Sequence, residues 1–194
     1  MQYLFLRHAE TATSDRKEWH GTSDPPLSIK GRQHAHTAAR RLRNLDLKIV
    51  GIICSDFSRA TETAAVFGKT FNCVVSCTPL LRERYLGEWE GLTQEEIERK
   101  WPGLIEAWRV GRIDGPPGGE TDDEVTARLG RALAEFVSKD HESAARLIIS
   151  HAGLLRGLLA ANGLPDEEVP PLSGRWLTLK TDTRQINVGK ETSL

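Results

Sequence analysis

Short apolar runs alternate along the chain with segments whose apolar residues recur at helical spacing, which leaves few folds open. Residues 3–7 read as a buried strand, and residues 31–45 carry Ala35, Ala38, Ala39, Leu42 and Leu45 on one helical stripe. Residues 49–54 form a second apolar run that stops at Ser55-Asp56, followed by an Ala- and Thr-rich helical stretch over 58–67 and a short strand over 73–77. The spacing of Ile97, Trp101, Leu104, Ile105 and Trp108 predicts helix over 93–108, broken or kinked at Pro102-Gly103. After the Gly- and Pro-rich stretch 115–119, Thr121-Asp122-Asp123-Glu124 caps a helix to about residue 137, with Val125, Leu129, Leu133, Phe136 and Val137 on its apolar stripe. A strand over 147–150, a helix over 154–161 and a last strand over 176–180 complete the pattern. The polar tail 185–194 is expected to be partly disordered.

Strands separated by helices predict an α/β fold in three layers, α/β/α, with a mostly parallel central sheet and helices on both faces. At 194 residues, 39% hydrophobic and 27% charged, the chain has the size and the apolar content for one core, and residues 1–194 are read as one domain. Within it, residues 83–120 form a helical, cap-like segment. The 26 Lys and Arg nearly cancel the 27 Asp and Glu, so no bulk field attracts nucleic acid or a membrane surface, and function is expected in a pocket. No apolar window approaches the ~18 residues of a membrane span, and the N-terminus lacks the pattern of a secretory leader, which predicts a cytoplasmic protein. Cys54, Cys73 and Cys77 suit neither a disulfide framework nor a four-ligand zinc site and are expected to be buried thiols.

In such folds reactive residues collect beyond the carboxyl ends of the strands. Three strand ends here run into unusual residues: Arg7-His8-Ala9-Glu10-Thr11, Ser55-Asp56-Phe57-Ser58-Arg59 and Ser150-His151-Ala152-Gly153. One histidine after a strand is most often structural, but two histidines and two arginines on one sheet edge point to anion handling. Guanidinium forks match phosphate oxygens, and backbone N–H groups of a helix start near Ala152 and Gly153 add donors. An imidazole beside arginines is disfavoured as a cation, so its lone pair is free to attack phosphorus without a separate base.

These motifs resemble the histidine phosphatase superfamily, the phosphoglycerate-mutase-like enzymes. The resemblance runs in family order from Leu4-Phe5-Leu6-Arg7-His8-Ala9-Glu10-Thr11 through Gly21, Asp24, Pro26, Leu27 and Gly31 to Ser55-Asp56-Phe57-Ser58-Arg59-Ala60-Thr61-Glu62-Thr63-Ala64. It continues over Glu83, Leu86-Gly87-Glu88-Trp89-Glu90-Gly91, Gly118-Gly119-Glu120-Thr121 and Ser150-His151-Ala152-Gly153. The resemblance implies His8 as phosphoryl-accepting nucleophile, Glu83 as general acid and base, and Arg7, Arg59, His151 and Ala152 as substrate-binding positions. Thr11 is read either as a further phosphate contact or as a turn residue. Glu83 is preferred to Glu88 because it alone falls where the family's acid lies.

The departures are Ala9 and Ala152 in place of common glycines, Ser14 where a phosphate-contacting Asn is usual, and Glu18-Trp19-His20-Gly21 in place of an Arg-x-Gln-Gly pattern. His20 either lines the entrance or is a plain surface histidine. The chain is shorter than the mutases of this type and carries Tyr85-Leu86-Gly87-Glu88-Trp89-Glu90-Gly91 in place of their stretch after the acid, and it is more similar to the alpha-ribazole phosphatases and the actinobacterial glucosyl-3-phosphoglycerate phosphatases. A phosphatase acting on a small sugar or sugar-acid phosphate is therefore expected; a mutase or a non-catalytic phosphate-binding module is the alternative. Trp89, Trp101 and Trp108 either border the pocket or belong to the core, and Arg109 or Arg112 is a candidate for a substrate carboxylate. No Asp-x-Asp, Walker loop or His-Glu-x-x-His motif is present, so no metal or other cofactor is expected. A homodimer is left open, since no feature of the sequence decides oligomeric state.

Overall fold

The structure, a computed structural model, describes residues 2–45, 47–135, 145–179 and 186–194, Asp15 by its backbone alone. Its centre is a six-stranded sheet of β1 (Gln2–Arg7), β2 (Ile49–Ser55), β3 (Val75–Thr78), β4 (Ala145–Ser150), β5 (Ser173–Leu179) and β6 (Ile186–Ser193), in the order β3-β2-β4-β1-β5-β6. The strands β3, β2, β4 and β1 pair in parallel, β5 runs antiparallel to β1, and β6 antiparallel to β5. Only β5 is therefore reversed, and the mostly parallel sheet expected from the sequence is present.

Period-two alternation in the strands sorts the core into two layers. Leu4, Leu6, Ile52, Cys54, Leu147 and Ile149 face α1 (Ile29–Arg43) and α2 (Ser58–Phe71), where Ala35, Ala38, Ala39, Leu42, Ala64 and Phe67 meet them. On the other face Tyr3, Phe5, Ile53 and Ile148 pack against Val125, Leu129 and Leu133 of α5 (Asp122–Glu135) and Leu154, Leu155 and Leu158 of α6 (Ala152–Ala161). Small residues on α1 and α2 let these helices lie close to the sheet. Gly174 of β5 shows a similar demand, since a Cβ there would stand 1.7 Å from the Phe5 carbonyl oxygen.

Between β3 and α5 the chain forms α3 (Gln94–Lys100) and α4 (Leu104–Arg109), separated at Pro102-Gly103 as the sequence predicts. Thr93 and Glu96 make a reciprocal capping box at the start of α3, and Gly103, at φ 75°, supplies the left-handed residue before α4. Leu86, Trp89, Ile97 and Ile105 form a third apolar cluster in this segment, with Trp19, Trp101 and Trp108 packed against it.

Several expectations are corrected. The helix α1 begins two residues early because the Ser28 hydroxyl accepts from Gly31 N–H as its cap, and Leu45 lies beyond its end and is exposed. Cys54 is buried, but Cys77, paired with it across β2 and β3, is exposed. The tail is not disordered from residue 186 onward: β6 is an edge strand hydrogen-bonded to β5, with Ile186 buried. Its polar residues face away from the core, which is why the composition resembled a tail. Phe136, Val137, Lys180 and Gln185 lie outside the described residues. Among those described, no helix is long and apolar enough to cross a membrane.

Candidate active site

Parallel pairing of β1 with β4 sets Arg7 opposite Ser150, and one step further the His8 N–H donates to the Ser150 carbonyl at 2.8 Å. The two loops leaving the sheet are thereby held together, so His8 and His151 meet with ring centroids 5.1 Å apart, edge to face. The end of β2 contributes α2, whose first residue donates to Asp24: Ser58 N–H and Oγ each reach Asp24 Oδ2 at 2.8 Å. Arg59, in the first turn of α2, is almost wholly buried. Its guanidinium donates to the Ser23 carbonyl at 2.6 Å and from Nε to His151 Nδ1 at 3.2 Å. Arg7 donates from Nη1 to the Val169 carbonyl at 2.8 Å, and its buried Nε has no protein partner among the described residues.

These contacts fix both tautomers. A carbonyl oxygen only accepts, so at 2.7 Å from Ala9 O the His8 Nδ1 carries the hydrogen and Nε2 keeps the lone pair. His151 accepts from Arg59 at Nδ1, so its hydrogen sits on Nε2, which is buried and without a partner among the described residues. Burial pushes the His8 pKa well below the usual histidine value, with the Arg7 and Arg59 charges adding to it against the Ala9 carbonyl. His151 is lowered well below as well, by burial first and then by His8, Arg59 and Arg7. Both rings are neutral near pH 7.

Because an unfolded histidine titrates near ~6.5, the unfolded chain binds protons below that pH that these two native rings refuse, and stability falls with acidification. The urea midpoint is expected to drop between pH 7 and 5, at up to about 1.4 kcal/mol per pH unit for each histidine. Replacing His8 with Asn is expected to flatten that slope by about one proton's share, and an unchanged slope would refute the assignment.

Glu83 follows a 3-10 turn at Pro79–Leu81 and seats its carboxylate on the first turn of α6. Oε1 accepts from Arg84 N–H at 2.8 Å and Leu154 N–H at 3.1 Å, and Oε2 from Gly153 N–H at 3.1 Å. A Cβ at 153 would stand 2.5 Å from Glu83 Oε1, so any larger residue there would push the carboxylate from this seat. This corrects the expectation that the Gly153 N–H serves phosphate: Glu83 occupies it, and of that pair only the Ala152 N–H is left. Arg84 anchors the segment. Its fully buried guanidinium pairs with Asp122 of α5 and lies 5.0 Å from the Trp108 ring centroid.

A cavity of about 440 Å³ brings together Arg7, His8, Thr11, Arg59, Glu83 and Ala152. His151 is not in its wall but stands behind, against His8 and Arg59. Thr11 and Ser14 both line the cavity and bond each other, Oγ1 to Oγ at 3.0 Å, while the Thr11 N–H donates to Ser14 Oγ at 3.0 Å. Thr11 is thus both a turn residue and a wall residue. Neither Ala9 nor Ala152 has a positive φ, so alanine fits at both. His20 lines the cavity. Of the tryptophans considered, Trp108 lines it, Trp89 is core, and Trp101 packs on that core.

Arg109 pairs with Asp166 and, like Arg112, is not in the wall. The further cations there are Lys17, Arg84 and Arg156, none of which the sequence reading singled out. Arg156 lies four residues after Ala152 on α6, and that i, i+4 spacing could have found it. Among the described residues no group of three or more His, Cys, Asp or Glu side chains is placed to hold a metal ion.

A neutral imidazole with a free Nε2 lone pair, buried guanidinium donors and a carboxylate on one cavity define a site for phosphoryl transfer. The family model of the histidine phosphatase superfamily (branch 1) matches residues 3–186, and the chain belongs to that family. It is a phosphatase of that family. It is similar to the glucosyl-3-phosphoglycerate phosphatases of Mycolicibacterium vanbaalenii, 33% identical over 93% of this chain and 84% of the relative, and of Mycobacterium tuberculosis, 34% identical over 89% and 85%. A phosphoglycerate mutase-like protein of Arabidopsis thaliana is 32% identical over 81% of this chain and 69% of its own length. The solved mycobacterial glucosyl-3-phosphoglycerate phosphatase in complex with VO3 superposes with a TM-score of 0.86 at 29% identity, covering 100% of this chain and 99% of that one.

Proposed function

We propose that the protein is a metal-independent phosphomonoesterase that hydrolyses a small phosphorylated sugar acid through a phosphohistidine at His8, with Glu83 as general acid and base. The observation that carries this reading is the neutral His8, its lone pair left on Nε2, on one cavity with Arg7, Arg59 and Glu83. The names of the mycobacterial relatives support the substrate class. In this reading residues 1–194 work as one domain, and residues 83–120 are the cap that brings in Glu83.

The chemistry has two displacements. His8 Nε2 attacks phosphorus, the bond from phosphorus to the leaving oxygen breaks, and Glu83 gives that oxygen its proton. Oε2 accepts one backbone hydrogen bond against two at Oε1, so Oε2 is the oxygen that carries the proton. Water then attacks phosphorus as the N–P bond breaks, its proton returning to Glu83. Arg7 and Arg59, with the His151 Nε2–H behind them, offset charge on the phosphoryl oxygens throughout.

Turnover of a radiolabelled phosphomonoester stopped in alkali is expected to leave about one acid-labile label per chain, with release of inorganic phosphate that a chelator does not slow. The panel should include 3-phosphoglycerate, glucosyl-3-phosphoglycerate and alpha-ribazole phosphate. Return of label to a sugar acid without phosphate release would make the protein a mutase, and no label from any ester would make it a binding module.

A further inference from the structure

Five cations stand in the wall of the main cavity: Arg7, Lys17, Arg59, Arg84 and Arg156. Four are held by the protein: Arg7 by the Val169 carbonyl, Arg59 by Ser23, Asp24 and His151, Arg84 by Asp122, and Arg156 by Asp166. Lys17 differs. Among the described residues its ammonium takes part in no ion pair.

The backbone of Lys17 is also unusual, at φ 55° and ψ 17°, in the left-handed region that glycine adopts without strain. The conformation is imposed from both sides. The 3-10 turn Ser14–Arg16 precedes it, while Glu18 bridges to Thr93 and the Trp19 N–H donates to the Leu92 carbonyl at 2.9 Å. A side chain kept at a strained position of a cavity wall is a candidate for a direct role there.

Position suggests the role. A second, open cavity of about 830 Å³ is also bordered by Lys17 and Trp19, whereas Arg7, His8 and Arg59 border only the first. Lys17 therefore stands where the two cavities adjoin, on wall that Arg7, His8 and Arg59 do not share. At about 440 Å³ the main cavity falls in the range that takes a whole small metabolite, which leaves room for the alcohol part of a substrate beside the phosphoryl group.

We propose that Lys17 is the specificity-determining residue of this site: its ammonium takes the carboxylate of the leaving alcohol, so that phosphomonoesters of hydroxy acids are hydrolysed in preference to those of neutral alcohols. The inference rests on the phosphatase reading above. 3-Phosphoglycerate and glycerol 3-phosphate test it as a pair, since they share a skeleton and differ in a carboxylate against a hydroxymethyl group. The ratio of their kcat/KM values is expected to favour the acid, to fall about tenfold in Lys17→Ala, mainly through KM, and to recover in Lys17→Arg. Lys17→Gly removes the charge together with the backbone strain and is expected to show the same loss of preference in a chain at least as stable.

A wild-type ratio near one, or a ratio that Lys17→Ala and Lys17→Gly leave unchanged, would overturn the proposal. Turnover of p-nitrophenyl phosphate with neither metabolite accepted would overturn it too, leaving the phosphatase reading in place. No turnover and no phosphohistidine from any ester would instead remove the reading on which it rests.

Discussion

Replacing His8 with Ala is expected to abolish the phosphoenzyme and to lower turnover of every phosphomonoester by about 10⁴-fold or more, a loss of roughly 5 kcal/mol of transition-state stabilisation. The size follows from what remains. In the proposed site Arg7 and Arg59 still hold a phosphoryl group in the variant, but neither they nor Glu83 offers a neutral lone pair in place of Nε2. His151 cannot substitute, because Arg59 engages its Nδ1 and its Nε2 carries the hydrogen. The arginines stay charged at any ordinary pH.

The fold is expected to survive the change. Removing a buried histidine that refuses a proton takes away a source of acid instability, so the variant should melt no lower than the parent at pH 5. Rapid-quench labelling and a melting curve on the same preparation check both halves. Retained label, or turnover within about tenfold of the parent, would show that another group is the nucleophile.

Much of this arrangement is legible in the sequence because the chemistry sits on regular elements. The strands β1, β2 and β4 are covered on both faces and read as apolar runs, so their ends are found without knowing how they pair, and His8, Arg59 and His151 follow from those ends. The edge strand β6 is hidden for the opposite reason: its residues 189–193 carry no apolar pattern, and its pairing with β5 is a tertiary event. Lys17 and Arg84 reach the cavity through loop paths and, for Arg84, an ion pair with Asp122, which no local periodicity encodes.

The helix start at Ala152 shows a different limit. Its N–H donors are visible in the motif, but which anion takes them depends on the loop that follows β3, and that loop delivers Glu83 there. Glu83 is therefore held by the same helix terminus that closes behind His8. The positions of Glu83 and His151 are thus coupled through α6, and in the proposed mechanism Gly153 and Arg84 position the carboxylate without reacting.

That coupling shapes the outcome expected for Glu83→Gln. The amide keeps an oxygen for Arg84 N–H and Leu154 N–H, but places an NH₂ group opposite Gly153 N–H, where Oε2 now accepts. Two facing donors cost about 1–3 kcal/mol of local stability, which a folded domain survives. The chemical loss is larger: without a proton for the leaving oxygen, turnover of alkyl phosphates is expected to fall by about 10²–10⁴. An ester whose leaving group departs as a stable anion, p-nitrophenyl phosphate, needs no such proton in the first step. It should still phosphorylate His8, giving a burst of nitrophenolate near one per chain followed by slow release of phosphate, because the same carboxylate is missing when water attacks. Glu88→Gln serves as the comparison, since Glu88 is exposed and outside the cavity wall, and it is expected to behave as the parent. A Glu83→Gln loss equal for both ester types and without a burst would assign Glu83 to holding α6 rather than to moving a proton, and near-normal turnover of alkyl phosphates would remove it from the reaction altogether.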